Sequence, residues 1–354
     1  MKKTLSRWLQ DIWYKDPFIG VWLSPFSFFF IDFVKFRKFL YRIGVFKSYR
    51  LPVPVIIVGN ITVGGTGKTP LLIWLAERLK AEGYTPGIIS RGYGGQAKDW
   101  PQWVDANSRA EQVGDEAVLI ARQTGCPMAV GALRVDAGKL LLERAACNVI
   151  LSDDGLQHYA LKRDIEIAVI DGERRFGNSF CLPAGPLREP IERLQSVDFI
   201  VVNGEKYEDN ELSMHIAGNT AINLVTGEQK PLQEFSATAC HALAGIGNPE
   251  RFFKLLAAAG LTCETHSFPD HHQFQVDDIS FSVVTTDAQS PMPVLMTEKD
   301  AVKCLDFAGI EHWYVPVKAV PEAGFSAQLL SLLSEKIGHL NHSHSSLKKK
   351  SHEN

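Results

Sequence analysis

The apolar run Pro54-Val-Ile-Ile-Val-Gly59 leads into Thr62-Val-Gly-Gly-Thr-Gly-Lys-Thr-Pro70. An apolar strand entering a Gly-rich turn, with Lys-Thr opening a helix, is how a chain builds a phosphate-binding loop. Glycines let the backbone curl so that several N–H groups converge on one anion. The helix that follows adds the positive end of its dipole. Leu71, Leu72, Leu75 and Leu79 recur at helical spacing up to Gly83, and Pro70 falls in the first turn, where a missing N–H costs little. In this reading Thr62, Val63, Gly64, Gly65, Thr66 and Gly67 form the cradle. Lys68 reaches the terminal phosphates of a nucleotide, and the Thr69 hydroxyl sits on Mg²⁺. The usual pattern has Gly where this chain has Thr62; Gly64 and Gly65 supply the flexibility instead. A turn that bound nothing would give no reason for Lys-Thr at the helix start.

From Pro54 onward strands and helices alternate. Strands are expected at 54–59, 86–90, 127–130, 148–152, 165–170 and 197–202, and helices at 69–82, 114–124 and 134–146. Most of the strands are Val/Ile runs, the signature of parallel strands covered on both faces. The fold class is therefore α/β: a P-loop NTPase-like, mostly parallel sheet domain and a second, smaller α/β domain. The expected limits are an N-terminal segment 1–49, the phosphate-loop domain 50–205, a polar linker 206–236, the second domain 237–341 and a disordered tail 342–354. In the second domain, Ala242-Leu-Ala-Gly-Ile-Gly-Asn-Pro249 and Thr297-Glu-Lys-Asp-Ala301 read as strand-to-helix turns. Trp313 to Val317 reads as a strand and 325–337 as the last helix. Gly245-x-Gly247 lacks the third glycine of a second nucleotide site.

The net charge of −3 excludes a dedicated nucleic-acid binder. It hides an asymmetry: residues 1–50 carry ten Lys and Arg against three Asp, a net of +7 that leaves −10 for the rest. The same segment is dense in aromatics from Trp8 to Phe36. Gly20, Ser24, Pro25, Ser27 and Asp32 break its most apolar part, which falls short of the ~20 apolar residues a spanning helix needs. No small-residue cleavage site marks a signal peptide. Aromatics beside Lys35, Arg37, Lys38, Arg42 and Lys47 suit an amphipathic segment lying in a membrane interface; packing on the protein's own core is the alternative. The six cysteines are scattered, with no Cys-x-x-Cys pair, as in a protein of a reducing compartment.

Candidate chemistry falls at the carboxyl ends of the expected strands, where ligands bind in open α/β sheets. Val149-Ile-Leu-Ser-Asp153-Asp154 ends in two carboxylates, where phosphate-loop enzymes hold Mg²⁺. Gly114-Asp115-Glu116 opens a helix, where acids are favoured by the dipole even without a catalytic role. Arg134 and Arg188 have the planar fork that suits phosphate oxygens, although for any single Arg a surface ion pair is the commoner explanation. Phe268-Pro-Asp-His271-His272-Gln-Phe274 concentrates polar groups between aromatics, open to reading as a metal site or as the partner of a catalytic base.

Together these stretches resemble the tetraacyldisaccharide 4′-kinase (lipid A 4′-kinase) family. The resemblance rests on Asn60-Ile-Thr-Val-Gly-Gly-Thr-Gly-Lys-Thr-Pro70, Ser90-Arg-Gly-Tyr-Gly-Gly95, Val113-Gly-Asp-Glu-Ala117, Asp153-Asp-Gly-Leu-Gln-His158, Leu182-Pro-Ala-Gly-Pro-Leu-Arg-Glu189 and Phe268-Pro-Asp-His-His272, in the family's order. Thr62 is the family's own form of the loop. The resemblance implies transfer of the γ-phosphate of ATP to the 4′-hydroxyl of a tetraacylated glucosamine disaccharide 1-phosphate, with ATP and Mg²⁺ as cofactors. It implies a lipid substrate, a peripheral place on the cytoplasmic face of the bacterial inner membrane, and no obligate protein partner. By the same resemblance Asp115 is the catalytic base and His271, favoured over His272, its proton-relay partner. Glu116, Asp153 and Asp154 join Thr69 at the metal. Lys68, Arg134 and Arg188 stabilise charge, with Gln157 beside them, and Tyr93 contacts the nucleotide. The second domain is expected to close over ATP and bring His271 to Asp115. The competing reading is a membrane-associated nucleotide-dependent switch or partitioning-type ATPase, which needs no acceptor site.

Overall fold

The computed structural model describes residues 8–9, 12–14, 17–281 and 292–351. Its strands are β1 (Val55–Gly59), β2 (Pro86–Ser90), β3 (Gln102–Val104), β4 (Met128–Val130), β5 (Val149–Asp153), β6 (Ile165–Asp171), β7 (Phe199–Asn203) and β8 (Glu211–Ala217). These are followed by β9 (Thr220–Asn223), β10 (Gln229–Pro231), β11 (Cys240–Ala244), β12 (Cys263–Ser267), β13 (Val294–Thr297), β14 (His312–Val315) and β15 (Lys318–Pro321). The Val/Ile runs become the middle of a nine-stranded sheet in the order β15-β8-β7-β6-β1-β5-β2-β4-β3. It is parallel from β8 to β4, with β15 and β3 antiparallel at its two edges.

Both faces of this sheet are covered, as its uninterrupted apolar strands require. Ile56 and Val58 of β1 enter one core with Leu72, Leu75 and Leu79 of the helix Lys68–Ala81, while Val55 and Ile57 enter the opposite core with Val135 and Leu141 of the helix Arg134–Arg144. β1 lies between β5 and β6, and Val58 is in register with Asp153. The turn after β1 and the acids after β5 therefore emerge side by side.

The second sheet has the order β10-β9-β14-β13-β11-β12, parallel from β14 to β12. The boundaries differ from those read in the sequence. The stretch 206–236 is not a free linker: β8 extends the first sheet and β9 and β10 begin the second. After β14 the chain returns to the first unit, where β15 pairs with β8. The last helix, Phe325–Ser351, buries Phe325, Leu329 and Leu333 in the core beneath the phosphate-loop helix. Phe325 lies against Trp74 and Phe199, with ring centroids 5.6 and 5.4 Å apart. Its backbone continues helical through 342–351, where a disordered tail was expected; no Gly or Pro interrupts that stretch.

At the other terminus the helix Pro17–Arg42 docks by one narrow face. Ser27 is buried and donates to the Cys181 carbonyl at 2.6 Å, and Arg37 donates to the Gln157 carbonyl. Trp22, Phe26, Phe28, Phe29, Phe33 and Phe36 stand exposed. No described helix is long and apolar enough to cross a membrane.

Phe325→Ala should destabilise the protein by about 3–5 kcal/mol, the usual cost of emptying a buried aromatic site. Urea unfolding measures it. A loss below about 1 kcal/mol would show that the last helix is an appendage and not part of the first core.

Candidate active site

The loop after β1 enters its helix through Gly67, whose φ of 98° lies in the left-handed region. A side chain there would also strike Asn203, 2.5 Å from the ideal Cβ position. Asn203, at the end of β7, donates to the Thr66 carbonyl at 3.1 Å. On the other side the Val63 N–H donates to the Pro186 carbonyl at 2.8 Å, so the Pro/Gly loop from Leu182 to Glu189 braces the cradle. Thr62 is buried, and Gly64 takes a φ of 113°. The second unit touches the cradle directly: a Cβ on Gly247 would meet the Gly65 nitrogen at 2.5 Å. Around that contact Arg174 donates to the Gly247 carbonyl, and Asn248 and Arg251 both donate to Asp171 at the end of β6.

Lys68 and Thr69 open the helix after the loop, and the Lys68 Nζ stands 3.8 Å from Asp154. Arg188 gives Asp154 two hydrogen bonds, at 2.8 and 3.1 Å. Burial would raise the Asp154 carboxyl, but Lys68, Arg188 and Arg134 outweigh it and hold the group below its ordinary range. Arg134 is buried and donates to the Asp154 carbonyl oxygen at 3.3 Å; burial lowers its pKa against the pull of Asp153 and Asp154.

Asp153 is placed differently. It is fully buried, with only a long contact from the Ser90 hydroxyl at 3.4 Å, and its Oδ1 has no hydrogen-bond partner. Burial, then the charges of Glu116 and Asp154, push its pKa up to about 7 despite Lys68 and Arg134. A buried carboxylate oxygen without a proton donor, among other acids and beside the Lys-Thr turn, fits a hard divalent cation. Asp153 offers the open oxygen. Asp154 is engaged by arginine and Glu116 by Lys299, at 2.9 Å.

Asp115 lies at the start of the helix Asp115–Thr124 and is buried. His271 Nδ1 is 3.2 Å from each of its carboxylate oxygens. His272 turns away to Asp278 at 2.9 Å, so of the two adjacent histidines the first faces Asp115, and the pair does not share one ligand. His271 has a φ of 58°, and Tyr93 packs on its ring with centroids 4.7 Å apart. Burial would raise the Asp115 pKa, but the hydrogen bond from His271 and the charges of Lys299 and Lys303 hold it well below the carboxylate range. For His271 burial and the nearby Lys299 charge pull downward, and the hydrogen bond to Asp115 with the charges of Asp270 and Asp115 prevails, raising it. Both shifts favour the ion pair. The His271 contribution to stability is present below its unfolded value and lost as pH rises through the raised folded value. The Asp115 contribution is present above its unfolded value and lost as pH falls through the depressed one.

Residues 19–334 match the family model described as Tetraacyldisaccharide-1-P 4'-kinase, LpxK. The chain belongs to this family. The Tetraacyldisaccharide 4'-kinase of Nitrosococcus oceani is 53% identical over 323 residues, covering 91% of this chain and 93% of that protein. Its counterpart in Actinobacillus pleuropneumoniae serotype 5b is 49% identical over 330 residues, covering 93% and 100%. A crystal structure of LpxK from Aquifex aeolicus in complex with ATP has a TM-score of 0.73 at 28% identity, covering 89% of this chain and 99% of that one.

Within this family member the residues singled out by sequence fall into one continuous cluster, with Gln157 at its edge. The Gln157 amide nitrogen donates to the Asn60 carbonyl and to Glu189, both at 3.0 Å, which makes it a brace between β1 and the Pro/Gly loop. The sequence reading missed Lys299 and Lys303. Lys299 binds Glu116 and Asp270 at 2.9 and 3.1 Å, and Lys303 stands 3.6 Å from Asp115. Their signal was Thr297-Glu-Lys-Asp300, read only as a turn. Thr297 caps that helix by accepting from the Asp300 N–H, which aims both lysines, one helical turn apart, at the acids of the first unit.

Asp115→Asn should lower the midpoint of His271, since it removes the carboxylate that raises it. NMR titration of the His271 ring protons measures this, and an unmoved midpoint would show that the two groups are not coupled.

Proposed function

We propose that this chain transfers the γ-phosphoryl group of ATP to the 4′-hydroxyl of tetraacyldisaccharide 1-phosphate, giving lipid IVA, the phosphorylated lipid A precursor. The observation that carries the reading is a series of ion pairs set close together where the two units meet: Lys68 with Asp154, Lys299 with Glu116, and Lys303 and His271 with Asp115, with Asp153 in the field of Glu116 and Asp154. It joins a nucleotide cradle to an acid–imidazole pair across two units. A nucleotide switch has no use for such a pair beside its cradle, whereas a kinase acting on a hydroxyl does.

Phosphoryl transfer is mostly positioning and charge stabilisation. In this reading the cradle from Thr62 to Gly67 holds the phosphates, with Lys68, Arg134 and Arg188 taking up charge on the transferred oxygens. Thr69 and Asp153 hold Mg²⁺, with Glu116 and Asp154 supporting. The cation supplies positive charge where the phosphate oxygens gather it. Asp115 aligns the acceptor hydroxyl and passes its proton to His271, while Tyr93 shields the imidazole and flanks the nucleotide. The enzyme works at the cytoplasmic face of the inner membrane. The exposed aromatic face of the helix Pro17–Arg42, with Lys35, Lys38, Arg42 and Lys47 near it, supports docking on an anionic lipid surface, where its substrate resides.

Incubation with radiolabelled ATP, Mg²⁺ and the disaccharide lipid in detergent should yield labelled lipid. Asp115→Ala should lower turnover about 10²–10⁴-fold, the usual worth of a positioned acid–base group, with little change in ATP affinity, whereas Lys68→Ala should damage both. Equal loss of ATP affinity in Asp115→Ala would remove Asp115 from the proton-transfer role.

Replacing Trp22, Phe26 and Phe29 together by Ser should abolish sedimentation with anionic phospholipid vesicles and leave folding intact, because these side chains are exposed. Unchanged sedimentation would count against this face as the docking surface.

A further inference from the structure

At the edge of the second sheet, away from the phosphate loop, β11 and β12 pair in parallel with His241 opposite Glu264. Side chains alternate between the faces of a strand, so Glu264 and His266 share one face of β12 and His241 joins them from β11. His241 Nδ1 lies 3.1 Å from His266 Nε2 and 3.5 Å from a Glu264 carboxylate oxygen. The three ligand atoms all lie within 4.8 Å of one another. Zinc binds imidazole nitrogen and carboxylate oxygen at about 2.0–2.2 Å, which sets tetrahedral ligands about 3.3–3.5 Å apart. The Phe281 ring stacks on both imidazoles, 4.2 Å from each centroid, and fixes their planes. β12 is the outermost strand and the Glu264 side chain is 69% exposed, so solvent reaches the cluster and can supply a fourth ligand.

A single hydrogen bond between the histidines would explain their distance, but not why Glu264 converges on the same nitrogen. An imidazole nitrogen carries one proton or one lone pair, pointing in one direction. One cation on the His241 Nδ1 lone pair satisfies all three groups.

We propose that His241, Glu264 and His266 form a three-ligand site for a divalent transition cation, Zn²⁺ by ligand type, which ties β11 to β12 once the exposed Glu264 side chain closes on the two imidazoles. Imidazole suits such ions over Mg²⁺, which prefers all-oxygen ligands. β11 runs on to Gly247, which abuts the phosphate loop, and β12 to His271, which meets Asp115. A cation joining the two strands fixes the relative position of both loops.

Co²⁺ titrated into the full-length protein, with millimolar Mg²⁺ present to fill oxygen sites, provides the test. The expected result is visible d–d absorption saturating at one Co²⁺ per chain and displaced by Zn²⁺. His266→Gln and, separately, the exposed Glu264→Gln should each raise half-saturation at least about tenfold, with folding checked by circular dichroism. Histidine in any exposed stretch is a competing ligand for such ions, so His342→Ala/His344→Ala serves as the control and should leave the signal unchanged. Loss of the signal in that control, its persistence in both strand variants, or its absence with Co²⁺ in excess would each overturn the proposal.

Discussion

Where the two units meet, Asp115, Glu116, Asp153, Asp154 and Asp270 crowd together, and their repulsion has to be balanced. Removing an ion from water costs several kcal/mol even after relaxation, so acids this close are sustained only by cations of matching geometry. Lys68, Arg134 and Arg188 come from the first unit and offset Asp154 and part of the field at Asp153. Lys299 and Lys303 come from the second and offset Glu116, Asp270 and Asp115. Neither unit is balanced alone. The second unit therefore completes the electrostatics of the site as well as supplying His271, and its docking and the state of the acids are one equilibrium.

This balance explains why neighbouring carboxylates behave so differently. Asp153 and Asp154 are adjacent in sequence, yet one is raised and the other lowered. The backbone turns at Asp154, with a φ of 46°, and delivers its carboxylate to Arg188 and Lys68. Asp153, still in register on β5 beside β1, keeps its carboxylate inside with one oxygen unpartnered. A pair whose environments push apart can divide two tasks, one acid holding the scaffold of cations and the other, in the proposed reaction, left to take a metal ion.

Much of this was legible in the sequence because it is local. The cradle, the Val/Ile strands and the acids at strand ends are each written within a dozen residues, and their periodicity survives tertiary context. What was not legible depends on distant partners. The stretch 206–236 read as a linker because its composition is mixed and polar, although Leu212, Met214 and Ile216 of β8 do alternate with polar residues, a period-two signal too short to stand out beside the Val/Ile runs. The last helix shows an apolar face from Phe325 to Leu333 but nothing that says which core it enters. Lys299 carried no signal of its own because its partner Glu116 lies 183 positions away. His271 and His272 could not be ranked from residue type alone; the left-handed turn at His271 sends them to different partners.

Within the proposed reaction, the shifts at the Asp115–His271 pair restrict how it can act. A carboxylate held well below its ordinary range is a weak base, so Asp115 alone is a poor final acceptor for a sugar hydroxyl's proton. His271 has the opposite shift and shares a hydrogen bond with the same carboxylate. A proton reaching Asp115 therefore moves downhill onto the imidazole, provided His271 starts neutral with its proton on Nε2, toward Asp270, and the Nδ1 lone pair toward Asp115. Asp115 is then the oriented relay and His271 the store, and the step should require pH above the raised His271 value. The depressed Asp115 pKa, which at first sight argues against a base, becomes the reason that the carboxylate is never left carrying the proton.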